Sequence, residues 1–258
     1  MRAAARRTPS TFTVVTVADA IFEEPRLAEI YDPLEPNRPD LEPYLSLVAE
    51  FGAQRVLDIG CGTGTFACLL ASRGIEVTAV DPAAASLAVA RAKPGAVRVR
   101  WLHGDATTLP PLQVDMATMT GNVAQVFITD SEWVSTLHAA RRALRPEGRL
   151  VFESRVPEKR AWLDWNRQRS YRRTVIPSVG HVVSWVEVTE VDGSLVTFRT
   201  TFIFESDGAV LTSDSTLRFR SRVEIVDSLL ASGMSLEYVR DAPDRPGLEF
   251  VFIARRAA

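Results

Sequence analysis

The sequence predicts an α/β fold: a parallel sheet covered by helices on both faces, with an antiparallel sheet inserted late in the chain. Three observations predict it. Residues 55–81 run as short apolar strand, glycine-rich loop, helix, second strand and acid, the first half of a nucleotide-binding α/β unit. Strand-like and helix-like segments then alternate to residue 155, which implies a parallel sheet with helices on both sides. Beyond it the apolar period falls to two, with Asp-Gly pairs at 192–193 and 207–208 where hairpin turns belong.

Taken in order, Arg6-Arg7 is followed by Thr-Pro-Ser and a mixed segment interrupted by Asp19. This lacks the clean apolar core of a secretory or twin-arginine signal, so residues 1–19 are expected to form a disordered extension. Residues 20–31 and 40–50 read as helices, separated by the proline-rich turn that starts at Asp32. Val56, Leu57 and Ile59 form the first buried strand. Gly60, Gly62 and Gly64 interrupt it and let the backbone turn sharply and approach a ligand, which a Cβ would prevent. Phe66, Leu69 and Leu70 follow at helical spacing, Gly74 stops that helix, and residues 77–80 form the second strand, ending in Asp81.

Asp81 lies 21 residues after Gly60, near the spacing at which a carboxylate reaches a ribose diol. A dinucleotide loop is opposed on two counts. Its third glycine would fall at position 65, which is Thr, and Asp58 stands directly before the loop. A carboxylate there repels a pyrophosphate and attracts an ammonium group.

Asp58-Ile-Gly-Cys-Gly-Thr-Gly resembles motif I of the class I S-adenosylmethionine (SAM)-dependent methyltransferases. The resemblance covers about residues 45–155 and 222–255. It implies a Rossmann-like seven-stranded mixed sheet with the last strand antiparallel, and SAM as cofactor with S-adenosylhomocysteine (SAH) as product. It also implies roles for particular residues. Asp81, with Pro82 after it, takes the ribose hydroxyls; Asp58 faces the methionine ammonium; Gly60, Cys61, Gly62, Thr63 and Gly64 pass along the methionine and ribose. Asp105, Ala106 and Thr107, at the end of the third strand, meet the adenine. Thr120, Gly121, Asn122 and Val123, after the fourth strand, face the glycine loop, with Asn122 closest to the reaction. Tyr31, with Asp32 and Arg38, belongs to a segment that folds over the pocket in this family.

The remaining elements follow. After a helix at 83–92, Val97, Val99 and Trp101 alternate with arginines as a third strand, and residues 114–119 form the fourth. Ser131 can cap a helix with Trp133, Leu137, Ala140 and Leu144 on one face, closed by a turn at 145–148. Residues 150–152 are the fifth strand, ending at Glu153-Ser-Arg155. Residues 155–173 hold seven Arg/Lys against two acids, with Trp162, Trp165 and Tyr171 among them. Three uses are open, in the order solvated helix, holder of an anionic group on a small substrate, and nucleic-acid surface. Residues 182–191, 195–205 and 209–219 alternate as strands, and a helix at 223–232 leads to strands at 236–240 and 248–254. The expected division is therefore a methyltransferase domain at 20–155 and 222–258, with 156–221 as an inserted lid over the substrate.

Composition narrows the function. The chain has 258 residues, 46% hydrophobic and 24% charged, with net charge −2. That suits one α/β domain with an insertion and gives no global pull towards nucleic acid or acidic membranes. No apolar run is long enough to span a bilayer. Cys61 and Cys68 read as reduced thiols and the three histidines lack metal-ligand spacing, so no metal and a cytoplasmic address are expected. Methyl transfer needs a base only when the acceptor must lose a proton; His181, at the mouth of the inserted sheet, is the best-placed histidine, although a structural role suits it as well. The expected partner is a small-molecule acceptor, with the protein a monomer or homodimer. A SAM-binding sensor without turnover and a nucleic-acid methyltransferase using 155–173 stay open as alternatives.

Overall fold

The computed structural model describes residues 18–257. The expected extension at 1–19 therefore lies outside the described residues except for Ala18 and Asp19. The helix expected across 20–31 breaks at Glu24-Pro25: α1 (Ala20–Glu23) ends there and α2 (Pro25–Leu34) begins with Pro25 in its first position. Proline lacks the N–H that a continuing helix would use, and its ring pushes the preceding residue to extended backbone, which Glu24 adopts (φ −74°, ψ 118°). α3 (Glu42–Glu50) follows a 3-10 turn at Pro39–Leu41.

Five parallel strands come next: β1 (Arg55–Ile59), β2 (Glu76–Asp81), β3 (Val99–His103), β4 (Val114–Met119) and β5 (Leu144–Arg155). They alternate with α4 (Thr65–Ser72), α5 (Ala84–Ala92) and α6 (Asp130–Ala143), the last held by a capping box between Thr129 and Glu132. Two strands differ from expectation. Gly95 (φ +82°) opens a 3-10 turn over Ala96–Arg98, so β3 starts at Val99 and Val97 is left 95% exposed. β5 starts at Leu144 because pairing with β4 begins there. The expected turn at 145–148 is instead a bulge, with Glu147 at φ +65° and the register shifting from Val114↔Leu144 to Met116↔Arg149.

The stretch 155–173 is not a solvated helix. It forms 3-10 turns at Pro157–Lys159 and Ala161–Asp164, the single turn α7 (Arg167–Ser170), and the start of a strand, β6 (Arg172–Ile176). The tryptophans explain the turns. Trp162 packs edge-on against Phe219 at 4.5 Å and Trp165 against Phe198 at 4.9 Å, which pins this segment to the inserted sheet. β6 joins β7 (Gly180–Asp192), β8 (Leu195–Phe204) and β9 (Val210–Arg218) in an antiparallel sheet, order β6-β7-β8-β9, one strand more than expected. Arginine-rich β6 occupies its edge, where charge discourages pairing with a foreign strand.

α8 (Arg222–Ala231) returns the chain to β10 (Met234–Asp241) and β11 (Glu249–Arg256). The main sheet has the order β3-β2-β1-β4-β5-β11-β10, with β11 antiparallel to both neighbours, as expected. Alternate strand residues feed opposite faces. Leu57, Ile59, Phe152 and Phe252 pack with Trp133, Leu137 and Leu229, while Val56, Met116, Val151 and Ile253 pack with Leu45, Phe66 and Leu70. Each large side chain so buried contributes about 1.5–3 kcal/mol. A third cluster joins Leu27, Ile30 and Leu34 of α2 to Ile176, Val182, Phe202 and Phe204, so α2 is seated on the inserted sheet. Among the described residues, no helix is long and apolar enough to cross a membrane.

Candidate active site

The strand order reverses at β1, between β2 and β4, and in open α/β sheets the crevice outside the carboxyl ends at such a point receives the ligand. The glycine loop lies there. Gly60 N and Cys61 N both donate to Val80 O, at 2.9 and 3.2 Å, tying the loop to β2. Gly60, Gly62 and Gly64 all have positive φ (71°, 52° and 76°), yet their surroundings differ. A Cβ on Gly60 would meet Val123 Cγ2 at 2.6 Å, and one on Gly64 would meet the Trp101 ring and, at 2.8 Å, Ala90 Cβ. A Cβ on Gly62 would meet nothing within 4 Å. Gly62 is therefore the loop residue whose open side faces away from protein.

This contrast gives a prediction. Gly64→Ala combines backbone strain with a clash and should cost roughly 2–4 kcal/mol, lowering Tm by about 5–15 °C. Gly62→Ala should cost about 1 kcal/mol of backbone strain but, since the loop is expected to pass along the methionine and ribose, weaken SAH binding at least about tenfold. Thermal melts and calorimetry check both, and undiminished SAH affinity in G62A would contradict this placement.

Two carboxylates flank the loop. Asp81 accepts Gly62 N on Oδ2 (2.7 Å) and Ala83 N on Oδ1 (2.8 Å). Burial raises its pKa, opposed by those two N–H donors. An ionised carboxylate has about four acceptor positions, so two remain for a diol. Asp58, 1% exposed, accepts Thr118 Oγ1 at 3.1 Å on Oδ1, while Oδ2 is buried without a partner. Burial, with Asp81 adding to it and the Thr118 hydrogen bond opposing, pushes Asp58 up to about 7. A buried carboxylate oxygen without a partner suits a cationic ligand group. Burial also raises the Cys61 thiol well above its usual range, so it stays neutral. The acceptor positions left on Asp81, the unpartnered Asp58 Oδ2 and the unobstructed side of Gly62 fit the diol, ammonium and chain of SAM.

Other expected residues gather around the loop to different degrees. Val123 lies over Gly60, which sets the loop after β4 against the glycine loop. Asp32 binds the loop directly: its Oδ1 accepts Thr63 Oγ1 (2.7 Å) and Thr65 Oγ1 (3.1 Å), and its Oδ2 pairs with Lys93 Nζ at 2.6 Å. Glu23 accepts Ala84 N and Phe22 O accepts Ser86 Oγ, each at 2.8 Å. α1 and α2 are thus latched across α5, beside Tyr31. Arg38 instead pairs with Asp40 at 2.8 Å. Asp105 turns back on its own loop, accepting Thr107 N (2.8 Å) and Thr107 Oγ1 (2.5 Å), and so caps the turn Ala106–Thr108. Pro82 O lies 2.9 Å from His103 Nε2. Gly121 (φ +71°) lets the chain leave β4 at Thr120.

Asn122, left-handed (φ 62°) and 5% exposed, enters a polar cluster that sequence reading anticipated only in part. Its N–H donates to Glu153 Oε1 at 2.8 Å and its Nδ2 to Glu249 Oε1 at 3.3 Å, while Oδ1 is buried without a partner. Glu249 Oε1 also receives Arg245 Nη1 at 2.6 Å and has Arg155 Nε at 3.4 Å; Arg155 Nη1 donates to Gln125 Oε1 at 3.1 Å. Burial, reinforced by Glu249, pushes Glu153 up to about 7 against the Asn122 N–H and the two arginines. Glu249, Arg245 and Gln125 were missed. An acid opening the otherwise apolar strand Glu249-Phe-Val-Phe-Ile was the available signal.

The inserted sheet, α2 and the 155–173 stretch line an open-sided chamber of about 590 Å³. Tyr31 and Arg155 line it, and each lies within two residues of the groups just described. His181 does not line it. Its neighbour Val182 packs inward against α2, so by strand alternation His181 turns to the other face, with its Nδ1 buried and unpartnered. A second hollow of about 260 Å³ opens at the amino ends of the strands, around Arg55, Glu76 and Arg98, away from the crevice.

Residues 56–148 match the family described as "Methyltransferase domain". A ubiquinone/menaquinone biosynthesis C-methyltransferase of Rubrivivax gelatinosus is 32% identical over 148 residues, 55% of this chain and 54% of that protein. The chain spans about half the length of the curated relatives it matches. Among solved structures, the sugar N-methyltransferase KedS8 from a Streptoalloteichus species superposes with TM-score 0.76 at 19% identity, covering 99% of this chain and 100% of that one. The SAM-bound CalS10, an amino pentose methyltransferase from Micromonospora echinaspora, superposes at 0.66 with 21% identity, covering 88% and 97%. The resemblance read from Asp58 to Gly64 and the fold it implied are thereby borne out.

Proposed function

We propose, from the match of residues 56–148 to a methyltransferase domain and the resemblance of Asp58–Gly64 to the class I SAM-dependent motif, that the chain methylates an O, N or C atom of a small molecule. The observation that carries this is the buried, half-partnered Asp58 carboxylate on the strand that leads into the glycine loop, with its open Gly62, at the switch point of the sheet. SAM supplies an already activated methyl, transferred by in-line displacement and leaving SAH. The chain's task is then to align acceptor, methyl and sulfur and to keep water out.

Asp81 holds the ribose hydroxyls with Pro82 beside it, Asp58 holds the ammonium, and residues 60–64 lie along the methionine and ribose. Asp105, Ala106 and Thr107 border the adenine, and Tyr31 closes the pocket from α2. Thr120, Gly121, Asn122 and Val123 present the acceptor side, with Asn122 nearest the reaction. Burial of Asn122 with its Oδ1 unpartnered supports a polar ligand contact there. His181 is not among the residues that line the chamber, and no general base is assigned.

The inserted sheet with α2 serves as the substrate lid. A nucleic-acid acceptor is disfavoured because Arg169, Arg172 and Arg173 of this stretch each pair with a carboxylate, which reduces its free positive charge. A cytoplasmic, monomeric or homodimeric enzyme is the accompanying reading. Calorimetric titration of SAM, SAH and NADH, followed by an acceptor screen reading SAH formation by mass spectrometry, tests it. SAM and SAH should bind, NADH should not, and one acceptor class should release SAH. Failure of both sulfur ligands to bind the folded protein would overturn the proposal, and binding without turnover on any acceptor would favour a sensor.

A further inference from the structure

We propose that the chamber takes a planar aromatic acceptor carrying one anionic group, and that Arg155 holds that group. The inference rests on the methyl-transfer reading and names its substrate class. The walls supply the first half. Tyr31, Trp165, Tyr171, Trp185, Phe198 and Phe202 line the 590 Å³ space, a size suited to a ligand of one or two rings with substituents. Trp185 and Tyr171 are stacked, with an interplanar angle of 21° at 6.5 Å. Trp165 stands edge-on to Phe198, with the Arg155 guanidinium 5.4 Å from its ring centroid. Flat apolar walls gain most from a flat apolar ligand.

The charges supply the second half. Three arginines and one acid, Glu35, line the chamber. Arg172 pairs with Glu35 at 3.1 Å and Arg169 pairs with Asp164, both in exposed settings. Arg155 differs from them. Its side chain is only 19% exposed, and its nearest carboxylate oxygen, Glu249 Oε1 at 3.4 Å, is held closer by Arg245 (2.6 Å) and also receives Asn122 Nδ2. Its Nη1 goes to a neutral amide, Gln125, and among the described residues Nη2 has no protein acceptor. Two guanidinium groups thus converge on one carboxylate. The other nearby acid, Glu153, is buried and engaged by the Asn122 N–H.

A guanidinium edge left without a protein acceptor in a largely buried setting fits a carboxylate or phenolate oxygen. A cationic amine would meet only Glu35, already paired. Position completes the case: Arg155 ends β5, beside the β4 loop that carries Asn122. A ligand anchored at Arg155 therefore lies at the end of the chamber nearest the crevice.

The test uses the full chain loaded with SAH, after SAH binding itself has been measured. 2-Naphthoate, its neutral isostere 2-naphthamide and the cation 2-naphthylmethylamine are titrated by calorimetry. Naphthoate should bind about tenfold or more tighter than the amide, and the amine weaker still. Arg155→Gln should abolish the acid-over-amide preference while the amide still binds. Arg155→Lys should retain part of the preference, and it serves if the glutamine variant does not fold. Trp185→Leu should weaken acid and amide alike.

Equal binding of acid and amide, tighter binding of the amine, no binding of any probe, or a preference that survives R155Q would each overturn the proposal. If SAH binds and naphthoate does not, the chamber inference fails and the methyl-transfer reading stands. If SAH does not bind, that reading fails on its own, and the same probe series run on the ligand-free chain decides the chamber separately.

Discussion

Asp81→Ala should weaken SAM and SAH binding by about 2–4 kcal/mol, roughly thirty- to several-hundred-fold, while leaving the protein folded. The carboxylate sits at the end of β2 with one oxygen on Gly62 N and the other on Ala83 N. Those contacts fix the carboxylate and leave about two acceptor positions free. Two charge-assisted hydrogen bonds to a ribose diol would be lost together in the alanine variant. The substitution also leaves two N–H groups without their acceptor, a stability cost of about 1–3 kcal/mol, so melting temperature has to be followed alongside affinity. Asp81→Asn separates the effects: it keeps an acceptor for one N–H and the shape of the site but removes the charge, and should fall between wild type and D81A in affinity. Calorimetry with SAH checks this, with circular dichroism as the fold control. A folded D81A that binds SAH as wild type does would remove Asp81 from the ribose site.

The cofactor half of this site was legible because its chemistry is local in sequence. Asp58, the three glycines and Asp81 lie on two strands joined by one helix, so spacing alone places them in one crevice. The break at Pro25 was legible too, since proline enforces it without help from tertiary structure. What could not be read depends on contacts between distant segments. Glu249 reaches Asn122 across 127 positions, and Arg155 has to share one Glu249 oxygen with Arg245. The 155–173 stretch failed as a helix for the same reason. Its tryptophans are held by Phe198 and Phe219, which belong to and follow the inserted sheet, and that pull outweighs local propensity. His181 shows the limit at single-residue scale. It belongs to the inserted sheet as expected, yet the lining of the chamber on its strand begins only at Ser184.

Asp58 should make cofactor binding pH-dependent, and the sign follows from its environment. Before binding, burial holds it near 7, so at pH 6 most molecules carry the proton. An α-ammonium placed at Oδ2 favours the carboxylate and lowers that pKa. Binding of SAM or SAH at pH 6 should therefore release a proton, approaching one per ligand, and affinity should rise from about pH 5 to pH 7 before levelling off. Calorimetry in two buffers of different ionisation enthalpy reads the release directly. Glu153 also titrates near 7, so the assignment rests on Asp58→Asn, which should abolish the release and flatten the affinity profile.

The same raised pKa acts on folding in the opposite direction along the pH axis. The native state binds the Asp58 proton more tightly than the unfolded chain, so stability falls as pH rises from about 4 to 7, by at most roughly 4 kcal/mol from this group. D58N should lose that part of the slope and be the more stable protein at pH 8 without ligand, while binding SAH more weakly. Such a variant would identify Asp58 as a group kept at a cost in stability because the bound cofactor needs its charge. Proton release that persists in D58N, or a wild type that releases none, would place the ammonium elsewhere.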